Sequence, residues 1–441
     1  MVHASGLRKL LPFIFLFSGF AVGAFVPEFS NFVTYMGFRI EQADMASDYI
    51  TGVLWALGIA VSIPFWPVPS EDKRHLLRLW GVRCFITLGA MLFYERNYGL
   101  DAQWYYLESK RATYDFSQLG FGKGTQFIAA WNWTLNHVFP VYDSYHAMKV
   151  INSFFGFLGL YVFYRGCVGY IGASRKTLLY MLMLFPSILF WSSILGKDPI
   201  HWFGIALYVY GVMGWRRRHR ASYLVLMAGG LWINVMIRMW SFFIFLAPFV
   251  LVSVWRVRNP VLRFVAICLF AGAASYALKQ NAEKFSEQNL DALIKTTNSI
   301  AHAWSRGGSA QQAPEFTNVS GMFKFLPLGM FTALFRPLPG EIMNPFGAMA
   351  GLENLILLSM LIVAIRRGAL AALKDDMTLW AVCLLLIWSA FYAFVSFQNL
   401  GAAVRFRMQV MPILLTLVAY LSTRAKQMKE AKIDVRDIRV S

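Results

Sequence analysis

The sequence predicts an all-α integral membrane protein, a single bundle of about twelve transmembrane helices spanning residues 1–441. Two observations of composition support this fold class. Hydrophobic residues make up 58% of the chain and charged residues only 15%, which is too little charge to cover the surface of soluble domains. Apolar runs recur from residue 11 to residue 423, so the hydrophobic excess does not come from one membrane anchor. A β-barrel is excluded because no alternating segments of about ten residues occur.

The third observation is the position of the basic residues. The connectors 165–176, 215–220 and 256–263 together carry ten Lys or Arg residues and no Asp or Glu. Short basic loops between apolar runs face the cytoplasm in membrane proteins. We therefore attribute the net charge of +18 to membrane topology and to contact with membrane lipids, and we predict no nucleic-acid partner.

The apolar runs predict the order of the helices. If the N-terminus starts in the cytoplasm, alternate crossings place every basic connector on the cytoplasmic side, together with a C-terminal tail at 424–441. The run 221–255 is too long for one crossing at ~1.5 Å per residue, so two helices are predicted with a turn at Arg238. The predicted helices are 10–26, 50–66, 77–94, 148–164, 177–195, 200–215, 221–236, 239–255, 261–278, 348–365, 378–397 and 408–423.

The same alternation places three longer segments on the outer side of the membrane, at 27–49, 95–147 and 279–347. The loop 95–147 is rich in aromatic residues, which predicts short interfacial helices in the headgroup layer. The loop 279–347 becomes apolar at 321–335 but contains several prolines there and beyond. This pattern predicts a broken, re-entrant or interfacial segment and not a complete crossing.

A set of basic residues lies at the predicted outer ends of helices, where the positive-inside rule does not require them. Charges near lipid are costly, so each needs a partner or a role. Arginine can bind a phosphate through two parallel charge-assisted hydrogen bonds, and it stabilises the charge on a departing phosphate. The predicted phosphate-binding residues are Lys197, Arg238, Arg336, Arg405 and Arg407.

A carboxylate across the same site could take a proton from an acceptor hydroxyl, and Asp101 is the candidate catalytic base. Four carboxylates of the first outer loop compete with it for that role. They are Glu28, Glu41, Asp44 and Asp48. Three further candidate site residues are Asp198, His201 and Glu341. The structural alternatives are an ion pair between Lys197 and Asp198, and lipid or carboxylate contacts of Arg405 and Arg407.

No cofactor is predicted. The four cysteines lie in or beside apolar runs without paired spacing, and the histidines are too scattered to indicate a metal site. The absence of a P-loop and of a Rossmann glycine pattern argues against an ATP-driven pump or an enzyme that uses cytoplasmic nucleotide sugars. Any donor should therefore be activated already and reside in the membrane.

Several stretches resemble bacterial polytopic glycosyltransferases and polysaccharide polymerases that use polyprenyl-phosphate-linked sugars, the GT-C and Wzy-like proteins. The matching stretches are Tyr98–Tyr106, Gly120–Phe127 (GFGKGTQF), Phe185–Asp198 (FPSILFWSSILGKD), Phe335–Glu341 (FRPLPGE) and Asn399–Pro412 (NLGAAVRFRMQVMP). Their order and spacing are similar to those of that group, and together they cover most of the chain thinly.

The resemblance implies transfer of sugar from a polyprenyl-(pyro)phosphate donor to a glycan or lipid-linked acceptor at the periplasmic face of the bacterial inner membrane. It also implies an acidic base in an early outer loop, where Asp101 lies in a comparable setting, although after the third predicted helix and not the first. The outer arginines would contact the lipid phosphate. Two alternatives are a transporter or flippase of lipid-linked saccharides and a scaffold of envelope assembly.

Overall fold

The computed structural model describes residues 27–171, 176–256, 314–367 and 369–422, together with scattered residues between 259 and 312. The described part is helical and contains one isolated β-bridge but no strand. In this part, five helices are long and apolar enough to cross a membrane, or six if one bent pair counts as a single span. The all-α fold class, with several helices that could span a membrane, is confirmed. The predicted number of about twelve transmembrane helices is not confirmed. The helix predicted at 10–26 lies outside the described residues.

The chain separates into two compact units, unit 1 at Met1–Met239 and unit 2 at Trp240–Ser441. The described helices of unit 1 are α1 (Pro27–Met36), α2 (Met45–Ser62), α3 (Ser70–Phe85), α4 (Met91–Asn97), α5 (Asp101–Ser109), α6 (Gly124–Val138), α7 (Tyr145–Ile171), α8 (Lys176–Leu184), α9 (Pro186–Trp191), α10 (Lys197–Arg218) and α11 (Ala221–Ile237).

Three continuous stretches of unit 1 are long and apolar enough to span a membrane. They are α2 with a short 3₁₀ extension (Met45–Phe65), the joined α3 and α4 (Ser70–Asn97), and α7 (Tyr145–Ile171). A π-helical turn at Ile86–Ala90 joins α3 to α4. The predicted helix 177–195 is divided instead, because Pro186 lacks the backbone N–H that would continue α8.

Glycines bring α10 and α11 into close contact. A β-carbon on Gly204 would lie 2.8 Å from the side-chain oxygen of Asn234, and one on Gly230 would lie 2.5 Å from the carbonyl oxygen of Gly204. Small residues that let two backbones approach in this way are typical of helix pairs in membranes. The same contact joins the start of α10 to the end of α11, which carry the candidate site residues.

A buried arginine holds the segment between α9 and α10. Arg83, on α3, donates from Nη1 to the carbonyl oxygen of Ser192 at 3.0 Å and to that of Ser153 at 3.2 Å. Its Nη2 donates to Ser192 Oγ at 2.8 Å. The backbone carbonyl of Ser192, in this non-helical segment, therefore receives a donor inside the unit, which a buried carbonyl group requires. The arrangement fixes the chain just before Lys197.

The described helices of unit 2 share an apolar character and include two candidate spans, α14 and α15. They are α12 (Ser241–Arg256), α13 (Val319–Phe335), α14 (Pro345–Arg366), α15 (Asp376–Ser396), α16 (Leu400–Arg407) and α17 (Met411–Ser422). The axes of α16 and α17 differ by 70°, so the helix predicted at 408–423 begins after a sharp bend.

One prediction for unit 2 was wrong. The apolar stretch 321–335 was expected to be broken by its proline, but α13 runs without interruption from Val319 to Phe335 with Pro327 inside it. Interior prolines are tolerated in apolar helices when neighbouring groups satisfy the freed carbonyl. At 17 residues α13 is shorter than the candidate spans, and a re-entrant path for this segment is not confirmed.

Candidate functional site

Four of the predicted site residues of unit 1 lie close together and form, with Thr125, what we call the polar cluster. Its members are Thr125, Lys197, Asp198, His201 and Arg238. They come from three elements, the first turn of α6, the first turns of α10 and the residue that follows α11. The cluster therefore joins residues that are far apart in the sequence.

Lys197 and Asp198 begin α10, and Pro199 follows them in its first turn. An acidic residue there stabilises the helix through its dipole. A proline is tolerated because a backbone N–H in the first turn would have no acceptor within the helix. Lys197 Nζ donates to Thr125 Oγ1 at 2.8 Å, which links α10 to α6. Asp198 is buried, whereas Lys197 is half-buried.

Arg238 follows the last residue of α11, and its backbone N–H donates to the carbonyl of Asn234 at 2.8 Å. Its side chain is half-buried and lies close enough to His201 for their charges to interact. The predicted helix break at this position is confirmed, because α11 ends at Ile237 and the next helix begins at Ser241. The cluster thus carries two cations beside a buried carboxylate and a buried imidazole.

The glycine-rich stretch GFGKGT packs directly against the end of α11. The N–H of Gly122 donates to the carbonyl of Val235 at 2.9 Å, and Gly122 adopts a φ of +73°. A β-carbon on Gly124 would lie only 2.3 Å from the carbonyl oxygen of Ile237. Glycine is therefore required at position 124 by close backbone approach and at 122 by backbone conformation.

We expect Gly124→Ala to lower the free energy of unfolding by about 1–3 kcal/mol, because its methyl group must displace the backbone beside Arg238. Gly120→Ala is the matched control, since the nearest atom to its β-carbon is a flexible Lys123 side-chain atom at 3.5 Å. Thermal unfolding of both variants in detergent checks the difference. Equal stability of the two variants would contradict the close packing of this loop.

Asp101 is the first residue of α5 and lies exposed just after the candidate span that ends at Asn97. Tyr105, one helical turn later, lies on the same face of α5. The ring of Tyr105 is buried and packs against Gly196, since a β-carbon added to Gly196 would lie 3.9 Å from this ring. Gly196 immediately precedes Lys197. The helix that carries Asp101 therefore packs against the chain that carries the polar cluster.

The structure also distinguishes Asp101 from two of its rivals. The Asp44 side chain accepts a hydrogen bond from the N–H of Ser47 at 3.0 Å and so caps α2. Asp48 is buried, and its side chain is hydrogen-bonded to the His146 ring. Asp101 is exposed and forms no ion pair with any described residue. Carboxylates with structural partners are less able to accept a proton from a substrate.

Tyr106 neighbours this region but is a poor base. Burial raises the pKa of its phenol above the ordinary value, so the hydroxyl stays protonated and donates to the carbonyl of Asp143 at 2.8 Å. That hydrogen bond ties α5 to the start of α7. Tyr106 therefore supports the helix that carries Asp101.

A second polar network in unit 1 was not predicted. Glu95, at the end of α4, accepts a hydrogen bond from Tyr145 at 2.8 Å and pairs with Lys149 Nζ at 2.8 Å. Glu95 is 5% exposed and Lys149 is fully buried. The signal that could have revealed this network is a charged residue at the end of one apolar run and another at the start of the next, since such charges need partners.

The predicted residues of unit 2 form a separate group around the loop 336–341. Arg336 Nε and Nη2 each lie 2.7 Å from Glu341 Oε1, so this arginine is paired with a carboxylate. Glu341 Oε2 also accepts from the N–H of Leu338 at 2.6 Å. The peptide bond between Arg336 and Pro337 is cis. The carboxylate of Glu341 therefore closes the loop by binding both the Arg336 side chain and the backbone N–H of Leu338.

Arg407 is fully buried and binds the end of α13. Its Nη1 donates to the carbonyl of Leu334 at 2.7 Å and to that of Arg336 at 3.2 Å. Carbonyls in the last turn of a helix have no partner within the helix, and a cation there is favoured by the helix dipole. Glu353 lies close enough to Arg407 for their charges to interact. Arg405, on the same helix, is half-buried.

We expect Arg407→Gln to lower the free energy of unfolding by about 1–3 kcal/mol, because two buried carbonyls lose a charged donor. Arg405→Gln, a half-buried position two residues earlier, should cost less than about 0.5 kcal/mol. Comparing the thermal unfolding of the two variants tests this difference. Similar unfolding of both would argue against a capping role for Arg407.

The tertiary structure therefore divides the predicted site residues into two groups. Unit 1 brings together Lys197, Asp198, His201 and Arg238, with Asp101 on an adjoining helix. Unit 2 brings Arg336, Glu341 and Arg407 to one loop. Within the described part of the chain, no three His, Cys, Asp or Glu residues are arranged to hold a metal ion.

Comparison with known proteins adds no relative to this description. No family model, no curated protein and no solved structure matches the chain.

Proposed function

We propose that this protein is a glycosyltransferase or polysaccharide polymerase of the bacterial inner membrane, with its site in unit 1 on the periplasmic side. The observation that supports this function is the polar cluster, in which Lys197 and Arg238 present cations beside the helix that carries the exposed Asp101. Paired cations suit the phosphate of a lipid carrier, and an exposed carboxylate suits an acceptor hydroxyl.

The proposed reaction is a single displacement at the anomeric carbon of a polyprenyl-(pyro)phosphate-linked sugar. Asp101 takes the proton of the acceptor hydroxyl as its oxygen bonds to the anomeric carbon. The bond between that carbon and the phosphate oxygen breaks, and the electron pair leaves with the phosphate. Lys197 and Arg238 stabilise the charge that develops there. The hydrogen bond from Lys197 to Thr125 orients the lysine.

The arginines of unit 2 enter the proposal differently. Arg336 is paired with Glu341, and Arg407 binds backbone carbonyls, so both have structural partners. Arg405 is half-buried in unit 2, and its predicted role as a phosphate ligand is not part of this proposal.

The deciding experiment measures binding and transfer separately in the purified full-length protein. A polyprenyl-phosphate-linked sugar is supplied with an acceptor glycan, and product is detected by mass spectrometry. Arg238→Gln should weaken donor binding about tenfold, because it removes one charge-assisted hydrogen bond. Arg111→Gln is the matched control, since Arg111 is exposed in the segment that follows α5 and, among the described residues, its side chain forms an ion pair with Glu108 three positions earlier.

Three results would separate this proposal from its rivals. Product formation that depends on Arg238 supports the transferase. Donor binding without product, combined with movement of the lipid across vesicle membranes, would replace it with the transporter. Equal donor binding by the Arg238 and Arg111 variants would remove the polar cluster from the site.

A further inference from the structure

A second basic site lies at the other end of α10, away from the polar cluster. The 22 residues of α10 place Lys197 and Arg218 about 32 Å apart at ~1.5 Å per residue. A cavity at this end is lined by the last turns of α7, the last turns of α10 and the first turn of α11. Its polar lining residues include Arg165, Arg217, Arg218 and Tyr223.

The cavity has an excess of positive charge. Three arginines and no acidic residue line it. Arg165 Nη1 lies 3.2 Å from the buried Asp72 and is thereby balanced. Arg218 donates to Tyr223 Oη at 3.3 Å, which is a neutral partner. Arg217 is exposed and forms no ion pair with any residue that the structure describes. Two guanidinium charges at the rim therefore have no carboxylate partner among the described residues.

Glycines and tyrosines shape the cavity. A β-carbon on Gly214 would lie 2.2 Å from the ring of Tyr223, so this tyrosine packs directly on the α10 backbone. The rings of Tyr210 and Tyr223 have centroids 6.0 Å apart. A β-carbon on Gly169 would meet no atom within 4 Å, so the cavity is open above this residue. The wall is aromatic, and its open side lies at Gly169.

The size and position of the cavity limit its ligand. Its volume is about 120 Å³, well below the ~300–1,000 Å³ of pockets that enclose a whole small molecule. It lies at the last turn of α7, where a candidate membrane span ends at Ile171. The half-buried Trp215 is nearby, and tryptophan favours the membrane boundary. A phosphate can enter while the rest of the ligand stays outside.

We propose that this cavity, the Arg217 cavity, binds the phosphate headgroup of one anionic membrane phospholipid. The arginines bind the phosphate through charge-assisted hydrogen bonds, the tyrosine hydroxyls supply further donors, and the acyl chains remain in the bilayer. The site is independent of the proposed transferase site, because it lies at the opposite end of α10 and shares no residue with it.

The test counts lipids retained by the purified full-length protein in native mass spectrometry during titration with phosphatidylglycerol. Arg217→Gln should lower the affinity about tenfold, whereas the matched control Arg220→Gln should leave it within about twofold. Arg220 carries the same charge in the same connector but does not line the cavity. Gly169→Leu should also lower the affinity, because it fills the open side without changing any charge.

The outcomes decide the proposal. The proposal is supported if the Arg217 and Gly169 variants lose phosphatidylglycerol while the Arg220 variant retains it. Phosphatidylcholine should bind weakly, because the proposed site is specific for an anionic lipid. Equal losses in the Arg217 and Arg220 variants, or normal binding by Gly169→Leu, would overturn it in favour of diffuse electrostatic attraction. Displacement of the lipid by millimolar inorganic phosphate would overturn the lipid assignment and indicate a soluble phosphate ligand.

Discussion

Asp101→Asn should reduce sugar transfer by about a hundredfold to ten-thousandfold while leaving donor binding unchanged, because it removes a general base without changing the size of the side chain. Asp101 is exposed at the first residue of α5, so the substitution disturbs no packing. Initial rates of product formation and the donor dissociation constant, measured on the same preparation, check both parts of this expectation.

Glu41→Gln is the matched control for this prediction. Glu41 is a rival carboxylate, exposed in the segment 27–49, and its amide variant should keep full activity. Activity that survives in the Asp101 variant but disappears in the Glu41 variant would move the base to that segment. Normal rates in both variants would exclude either residue from proton transfer.

Lys149→Met should lower the free energy of unfolding by about 3–5 kcal/mol, because it leaves the Glu95 carboxylate buried without its cation. The two groups are 2.8 Å apart, with side-chain exposures of 0% and 6%. Tyr145 would then remain as the only described hydrogen-bond donor to Glu95. Thermal unfolding in detergent, followed by tryptophan fluorescence, measures the loss.

The double variant Glu95→Gln with Lys149→Met provides the control, because it removes both charges. It should recover much of the stability lost in the single variant, since no unpaired charge remains buried. Additive losses in the double variant would show that the two side chains do not interact. Lys110→Met, at an exposed lysine of the outer segment, should have little effect on unfolding.

The helical membrane character of the chain could be predicted from local patterns. Apolar runs indicated the candidate spans of the described residues, and the length of the run 221–255 indicated the break beside Arg238. Helices α5 and α6 occur in the segment 95–147, where aromatic residues predicted short helices. The apolar stretch at 321–335 was misjudged, because local rules treat Pro327 as a break, whereas a proline inside an apolar helix can be accommodated.

Which charges meet could not be predicted, because the partners are distant in the sequence. Asp48 and His146 are separated by 98 positions, and Glu95 and Lys149 by 54. Hydropathy shows that each buried charge needs a counterpart, but it does not select one. Helix packing makes that selection: it assigns Arg407 to the end of α13, and it leaves Asp101 exposed on a helix packed beside Lys197. Coulomb interactions between buried groups act over a few ångströms, so the pairing is decided only when the helices come together.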